Sequence, residues 1–460
     1  MLTTPVIHSL LFAGTTSALA TVAGFIAFVG MTSLRGRGRG MFLATAVAIL
    51  LLPPFAQAGA WWRLGMKWAL PIATLPFGAA VLALQLWPIT TLLLLASLQT
   101  LDPSPLEAAR LSLSPRVTWM RVILPSLLPT LTLAFLLTFI LALNQFLIPA
   151  TFQTPLQITE VYMMFSSLYD TRRALLASVP LWLVSLAGLG FAGWLARRWE
   201  VARAGRHAPR ETGPEALLPV PRRRIVQAFL VALACASLLP PLAHLIPMMH
   251  PAGILSAWRL AIPHLLSSLT YAVGAGLLAS LLGLGLAWMT GYRSHPILEA
   301  ILATPFILSG LFLGILMIMA GQWAGGAAWW PGGIFAGIVV LTLRFAWIPF
   351  QSVRAAWSRM PSELLDAARI HRLPRLTAFR HVHWPVVRAP LLAAAWLVYI
   401  LALWDVETLL LVYPAGGEPV SLRIFQLLHY GYDSHVGALS LLLLLLGILP
   451  GALGLGRLRT

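Results

Sequence analysis

Two short charged stretches contain the residues whose types and spacing most clearly repeat in this chain. Residues 107–116 read Glu-Ala-Ala-Arg-Leu-Ser-Leu-Ser-Pro-Arg, and residues 366–375 read Asp-Ala-Ala-Arg-Ile-His-Arg-Leu-Pro-Arg. An acid, two alanines, an arginine, an aliphatic residue, a proline and an arginine recur 259 positions apart. The alanine pair forms a smooth surface beside charged groups, which suits close approach by another protein. The repeat predicts two homologous halves that present the same surface to a partner.

A second set of chemically capable residues lies within apolar segments. Gln145 and Asp405 are 260 positions apart and therefore occupy nearly equivalent places in the two halves. Glu407 follows Asp405 closely, and Arg344 lies in the apolar segment before the second charged stretch. Charges inside a membrane are costly and usually face a cavity or a partner. These residues either line or gate a path, or Arg344 forms a structural ion pair with Asp405 or Glu407, or the acids lie at the outer interface. Because the spans that carry Arg344 and Asp405 flank the second charged stretch, we expect these two residues to be in contact, directly or through water.

The composition requires a membrane protein. Hydrophobic residues make up 59% of the 460-residue chain and charged residues 10%, whereas soluble domains carry about 25% charged residues. Long apolar runs predict helices, because a barrel would show short alternating strands. The fold class expected is all-α and polytopic. Eleven candidate spans lie near 7–30, 41–62, 69–99, 122–150, 174–196, 225–249, 263–291, 296–320, 331–353, 389–413 and 434–456.

The net charge of +17 is distributed as in a membrane protein. If the charged stretches are cytoplasmic, 24 of the 31 basic residues lie on that side of the membrane. This asymmetry follows the positive-inside rule, so no nucleic-acid partner is needed to explain the charge. The single cysteine, Cys235, excludes a disulfide within the chain, and the eleven histidines are too scattered to predict a metal site.

The local sequence around the first charged stretch predicts a short helix. Ser104 suits the N-cap, Pro105 the first helical position, and Glu107 completes a capping box. Pro115 should end this helix, and Pro125 should lie where the next span begins. In the second copy Ser362 can cap, Glu363 and Asp366 place negative charge in the first turns, and Pro374 and Pro385 take the places of the two prolines.

The repeat also predicts the domain organisation. A first half covers 1–197, a linker rich in Arg, Pro and Gly covers 198–223, and a second half covers 224–460. Matching the halves leaves the first without a counterpart of the span at 225–249, which gives five spans and six. The proline pairs Pro53-Pro54 and Pro240-Pro241 should kink or end helices. Because no basic region precedes the first apolar run, we expect no cleaved signal peptide.

The duplicated loop resembles the EAA loop of ATP-binding-cassette importer permeases. In that family Glu-Ala-Ala precedes a glycine and later Ile-x-Leu-Pro; Val122-Ile123-Leu124-Pro125 is close to that ending, and Val382-His383-Trp384-Pro385 is looser. Asn144-Gln145-Phe146-Leu147-Ile148-Pro149 resembles a Glu-Phe-x-x-Pro element, and Glu418–Ile424 resembles the external segment before the last helix in fused ferric-iron and thiamine permeases. Leu113 and Arg372 stand nearest the family glycine, and Asp366 replaces Glu.

The resemblance implies a role in transport. Two ATP-binding subunits would receive two coupling helices, the first built on Glu107, Ala108, Ala109 and Arg110 and the second on Asp366, Ala367, Ala368 and Arg369. An extracytoplasmic binding protein would deliver a small solute, such as ferric iron or a thiamine-like compound, to this inner-membrane permease of a bacterium. The chain has no phosphate loop, its only lysine being Lys67, so ATP would be used by a separate subunit. The chain itself would be no enzyme and bind no cofactor. A secondary transporter is the alternative, but its repeats are commonly inverted.

Overall fold

The computed structural model describes most of the chain as α-helix. The described residues are 3–34, 36–98, 104–168, 170–203, 223–245, 251–291, 295–323, 333–358, 360, 363–364, 366, 370–371, 374–430 and 433–457. All regular elements in these ranges are helical, with no strand among them. The expected all-α, polytopic membrane fold is therefore confirmed. Of the predicted linker, residues 198–203 continue a helix and Arg223 begins the next one, while 204–222 lie outside the described residues.

Seven described helices are long and apolar enough to cross a membrane, or up to ten spans if each of three bent pairs counts as one. The predicted span 41–62 is one of these pairs: its helices meet at 88° after Leu50. Pro53 and Pro54 lie at this break, as the sequence predicts. The predicted span 296–320 is also broken, at 102°, and there the Ser309 hydroxyl accepts a hydrogen bond from the Leu311 N–H at 3.2 Å.

The first compact unit comprises residues 1–244. Its helices are α1 (Thr3–Thr32), α2 (Arg37–Leu50), α3 (Pro54–Lys67), α4 (Leu75–Leu98), α5 (Ser104–Ser112), α6 (Pro115–Thr118), α7 (Leu124–Leu143), α8 (Leu147–Thr151), α9 (Gln157–Ser166), α10 (Thr171–Arg203) and α11 (Arg223–Leu245). The main core lies where α1 crosses α4 and α7, around Phe28, Trp87 and Leu127. Apolar side chains fill this core, while many outward-facing positions are also apolar, as a lipid-facing surface requires.

The second compact unit comprises residues 245–460. Its described helices are α12 (Pro251–Thr290), α13 (Pro296–Ile307), α14 (Gly310–Trp323), α15 (Ile334–Phe345), α16 (Trp347–Ser358), α17 (Arg375–Ala378), α18 (Trp384–Leu403), α19 (Leu409–Val412), α20 (Val420–Tyr430) and α21 (Asp433–Arg457). The long helix α12 packs against α15, α16 and α18. A core around Phe350, Val353 and Val387 lies at these contacts.

The two units repeat the same helix order, including an uncommon element. A π-helical turn covers Trp119–Ile123 in the first unit and Phe379–His383 in the second, 260 positions apart. Each turn is followed by a proline, Pro125 or Pro385, at the start of a 20-residue helix. Proline has no N–H to donate, and its ring clashes with the carbonyl four residues earlier, which favours the wider turn. The repeat predicted from the charged loops therefore extends into the backbone that follows them.

Helix α11 packs within the first unit, although the sequence assigns it to the second half. The Trp87 Nε1 donates to the Ser237 hydroxyl at 3.0 Å, and the Arg223 guanidinium donates to the Ser33 carbonyl at 2.8 Å. The compact unit thus extends beyond 197, the end predicted for the first half. Packing and internal homology are different properties, so the predicted repeat boundaries stay a prediction. Pro240 and Pro241 do not end α11, which continues to Leu245.

Close approach of α12 to the α16 backbone generates a stability prediction. A Cβ at Gly283 would lie 2.6 Å from the Phe350 backbone nitrogen, whereas a Cβ at Gly285 would meet nothing within 4 Å. Overpacking typically costs about 1–3 kcal/mol, so Gly283→Ala should lower the thermal midpoint of the purified protein by several degrees. Gly285→Ala is the matched control and should leave the midpoint nearly unchanged or raise it. Equal midpoints for the two variants would contradict the helix crossing.

Candidate functional site

A buried cluster of charged side chains lies in the second unit, at the junction of two broken helix pairs. Arg344 is in the last turn of α15, directly before the 40° bend that separates α15 from α16. A cation at this place interacts favourably with the negative end of the helix dipole. Asp405, Glu407 and Thr408 lie on the non-helical segment between α18 and α19. The third side of the cluster is the start of α14, where the 102° bend occurs.

Arg344 contacts all three polar side chains of this segment. Its Nη1 donates to a carboxylate oxygen of Asp405 and to the Thr408 hydroxyl at 2.6 Å. Its Nη2 donates to Glu407 Oε2 at 3.4 Å. The side chains of Arg344, Asp405 and Glu407 are 15%, 4% and 10% exposed, so the ion pairs are largely shielded from solvent. The predicted contact between Arg344 and Asp405 is confirmed.

Asp405 also stabilises the backbone of its own segment. Its Oδ1 accepts hydrogen bonds from the N–H groups of Thr408, at 2.8 Å, and Leu409, at 3.3 Å. The Thr408 hydroxyl lies 3.1 Å from the other carboxylate oxygen. The Asp405 carbonyl accepts from the Ser421 hydroxyl at 3.0 Å. A carboxylate with several donors is well compensated for its burial, so Asp405 fixes the conformation from residue 405 to α19 as well as binding Arg344.

Gly310 is a member of the cluster that sequence reasoning did not identify. A Cβ at this position would lie 2.6 Å from the Thr408 hydroxyl and 2.8 Å from the Glu407 Cβ, and would also collide with Arg344 Nη1. Only glycine therefore lets the start of α14 approach the ion pairs. The pair Ser309-Gly310 within an apolar run was the available signal, because Gly/Ser pairs are among the places where helices kink sharply.

The cluster joins three chain segments by one cation and two acids, giving it a formal charge of −1. Its groups can exchange partners or hold the segments together, but they form no nucleophile–base pair. Among the residues that the structure describes, no three His, Cys, Asp or Glu side chains form a possible metal site. The assignment of the cluster to a translocation path stays a prediction.

Gln145 takes the place equivalent to Asp405 in the first unit. Each follows a 20-residue helix by two positions, and the N–H of each donates to the carbonyl three residues earlier, Ala142 or Ala402, at 3.3 Å. The backbone is therefore the same, but the side chain is a half-exposed amide instead of a buried carboxylate. The predicted equivalence of the two positions holds in the backbone, and the ionic cluster is a feature of the second unit.

The first charged loop forms the predicted short helix, α5, which begins at Ser104 and ends before Pro115. Glu107 and Ala108 are exposed, whereas Ala109 is 5% exposed and packs inward with Leu106. The expectation that both alanines form the outer surface is thus wrong for Ala109. The reason is helical periodicity, since residues three apart share a face. The side chain of Arg110 is outside the described part of the structure.

The second charged loop is described only in part. Asp366 is helical and exposed, and so are Glu363 and Leu364. Ser362, Ala367, Ala368 and Arg369 lie outside the described residues. Beyond this gap Ile370 is exposed, and α17 and its π-helical turn lead into α18. Where both loops are described, they agree: each has an exposed acid, and each is followed by the same order of helices.

Another pair of equivalent contacts is made by serines on α1 and α12. The Ser9 hydroxyl accepts a hydrogen bond from the Gln157 N–H at 2.8 Å in the first unit, and the Ser268 hydroxyl accepts from the Val420 N–H at 2.7 Å in the second. These serines are 259 positions apart, the same separation as the two charged stretches. In the second unit His264 Nδ1 also lies 3.0 Å from the Glu418 carbonyl oxygen. Each serine thus accepts the N–H of the first residue of a short helix, α9 or α20.

Comparison with known proteins adds no assignment to this geometry. No protein-family model matches the chain, and no curated protein is similar to it.

Burial of the Arg344–Asp405 pair generates the second prediction. Removing one partner of a buried ion pair typically costs about 3–5 kcal/mol, so Asp405→Asn should lower the thermal midpoint strongly, and adding Arg344→Gln should restore part of the loss. The control is Asp170→Asn, which breaks a pair with the largely exposed Arg173 and should cost about 0–1 kcal/mol. A double variant less stable than either single variant would contradict direct pairing in the native protein.

Proposed function

We propose that this chain is the multi-pass permease subunit of a binding-protein-dependent ATP-binding-cassette importer in the bacterial cytoplasmic membrane. The observation that carries the proposal is the repeated loop together with the helices that follow it. In both units an exposed acid precedes a short helix, a π-helical turn and a 20-residue span, with the last two elements 260 positions apart. Two equivalent charged loops on one side of the membrane suit two identical partner subunits.

The partners follow from this arrangement. Two ATP-binding subunits would each receive one loop, through Glu107 and Ala108 in the first and Asp366 in the second. The chain contains no phosphate loop of its own, so ATP hydrolysis belongs to those subunits. A binding protein on the other side would supply a small solute, for which ferric iron and thiamine-like compounds are the candidates from sequence resemblance.

The broken helices support transport as the general function. Irregular backbone at membrane depth is tolerated where it is buried in protein or lines a water-filled cavity. The breaks at 88° and 102° and the buried ions at the second break place polar groups within an otherwise apolar region. In the proposed importer the Arg344 cluster lies beside the path and changes its contacts as the permease opens.

A secondary transporter is the second candidate, because broken helices that carry charges are also typical of that class. The direction of the repeat favours the importer. Six predicted spans separate the two charged loops, because α11 adds one span to the five of the repeat. An even number of spans places both loops on the same side of the membrane, so the predicted repeat is parallel. Many secondary transporters instead have inverted repeats.

Copurification separates the two candidates and is the third prediction. The tagged chain, extracted from its native membrane in mild detergent, should carry an ATP-binding subunit in a ratio of two per chain. Solute uptake by vesicles should then require ATP inside and continue after the ion gradients are collapsed. A chain that purifies alone, with uptake abolished by collapse of the gradient, would instead establish the secondary transporter.

The fourth prediction concerns the acids of the two loops. The double variant Glu107→Arg/Asp366→Arg replaces exposed acids without disturbing a buried contact of the first loop. It should reduce the recovered ATP-binding subunit about tenfold, which corresponds to about 1.4 kcal/mol of binding free energy. The variant Glu160→Arg, on α9 and on the opposite side in the predicted topology, is the control. Full recovery of the subunit with the double variant would exclude these acids from docking.

A further inference from the structure

The interface between α3 and α4 in the first unit contains polar atoms that have no hydrogen-bond partner among the described residues. Gln57 on α3 is 1% exposed and Gln85 on α4 is 7% exposed. Within the described residues, neither amide atom of Gln57 has a hydrogen-bond partner, and the same holds for Gln85 Oε1 and Trp61 Nε1. Buried polar groups are nearly always hydrogen-bonded, to protein or to ordered water. Four such atoms in one interface therefore require an explanation.

The four atoms belong to Gln57, Trp61 and Gln85, which together are called the strip. Gln57, Trp61 and Gly65 are spaced by four residues and so share one face of α3. That face points at α4 and the segment before it. The ring centroids of Trp61 and Phe77 are 6.3 Å apart in an edge contact, and a Cβ at Gly65 would collide with Ile72 and lie 3.6 Å from Phe77 Cζ. At the other end of the interface, Gln85 Nε2 donates to the Leu52 carbonyl at 3.0 Å.

These two contacts enclose Gln57 between them. The helices run antiparallel here, since Leu52 meets Gln85 and the later residue Trp61 meets the earlier residue Phe77. Gln57 lies one helical turn from Trp61, about 6 Å along the axis. Along the chain, Gln57 therefore lies between Leu52, which contacts Gln85, and Trp61, which contacts Phe77.

The chemistry of the strip selects a neutral ligand. It offers N–H donors from Gln57 and Trp61 and amide oxygen acceptors from Gln57 and Gln85, a combination that matches a hydroxyl group, which both donates and accepts. The charged residues of α3, Arg63 and Lys67, do not fall on the four-residue spacing of this face. An ion would therefore find no opposite charge on the strip.

We propose that the α3–α4 interface binds neutral hydroxyl groups, those of ordered water molecules or of a small neutral solute. The position next to the 88° break between α2 and α3 gives the site a structural role as well. The bound groups would satisfy amides that the break leaves without protein partners. In the second unit the corresponding break is occupied by the ion pairs of Arg344, so the two units satisfy the same region with different chemistry. The site does not depend on the proposed import function.

Radiolytic footprinting in ¹⁸O-water tests the site on the purified full chain in lipid nanodiscs. The measured quantity is the rate of oxidative labelling of Trp61 divided by that of Trp87. Trp87 is the internal reference, because it is fully buried and donates a hydrogen bond to Ser237. Water bound beside the half-buried Trp61 should raise this ratio. Gln57→Leu/Gln85→Leu should lower the Trp61-to-Trp87 ratio about fivefold, the change in occupancy expected from loss of about one net hydrogen bond. Gln227→Leu removes an amide that already donates to the Ser33 hydroxyl at 2.9 Å and should not change the ratio.

Mass spectrometry of small molecules released by denaturation distinguishes the two sources. A neutral solute released from the parent, and not from the double variant, identifies a solute site. A changed labelling ratio with no released solute identifies ordered water. An unchanged ratio together with identical released molecules would overturn the proposal. If the double variant fails to fold, the single variant Gln57→Met, which keeps the length of the side chain, replaces it. Gln57→Met should still lower the Trp61-to-Trp87 labelling ratio, and an unchanged ratio would overturn the proposal.

Discussion

The structure depends on one constraint: in an apolar surrounding, each polar group must find its partner inside the chain. Unbroken helices meet this requirement automatically, because every interior N–H bonds to a carbonyl of the same segment. Each break in a helix frees several of these groups. The described breaks are accordingly the places where polar side chains gather: Gln85 donates to the Leu52 carbonyl beside one break, and the Ser309 hydroxyl accepts an N–H at another.

The two units meet this constraint at equivalent places with different side chains. In the second unit Arg344 and two acids form a largely buried set of ion pairs beside Gly310. In the first unit, amides occupy the interface next to the break, and three of their four nitrogen and oxygen atoms have no hydrogen-bond partner among the described residues. Ion pairs hold specific segments together at a high desolvation cost, whereas amides can bond to exchangeable neutral groups. The same backbone arrangement therefore carries ion pairs in the second unit and neutral amides in the first.

The features that could be predicted from the sequence are those that depend on composition or on a few residues. The all-α membrane fold follows from composition, and the contact between Arg344 and Asp405 follows from the scarcity of charges within spans. The break beside Pro53-Pro54 follows from proline geometry. The remaining features depend on packing between distant segments. The place of α11 and the close approach that requires Gly310 result from contacts between segments far apart in the sequence. Helical periodicity pairs Ala109 with Leu106 on one face of α5, but it does not say which face is buried.

Arg344 and Asp405 would lose different numbers of hydrogen bonds if they separated. Asp405 accepts two backbone N–H groups and contacts the Thr408 hydroxyl, so it would keep these donors if α15 moved away. Arg344 depends on the segment from Asp405 to Thr408 for its hydrogen bonds, and its Nε has no partner among the described residues. A buried guanidinium without an acid is the costlier product of separation. Any rearrangement of this junction is therefore limited by Arg344, which must find water or another acid as it leaves.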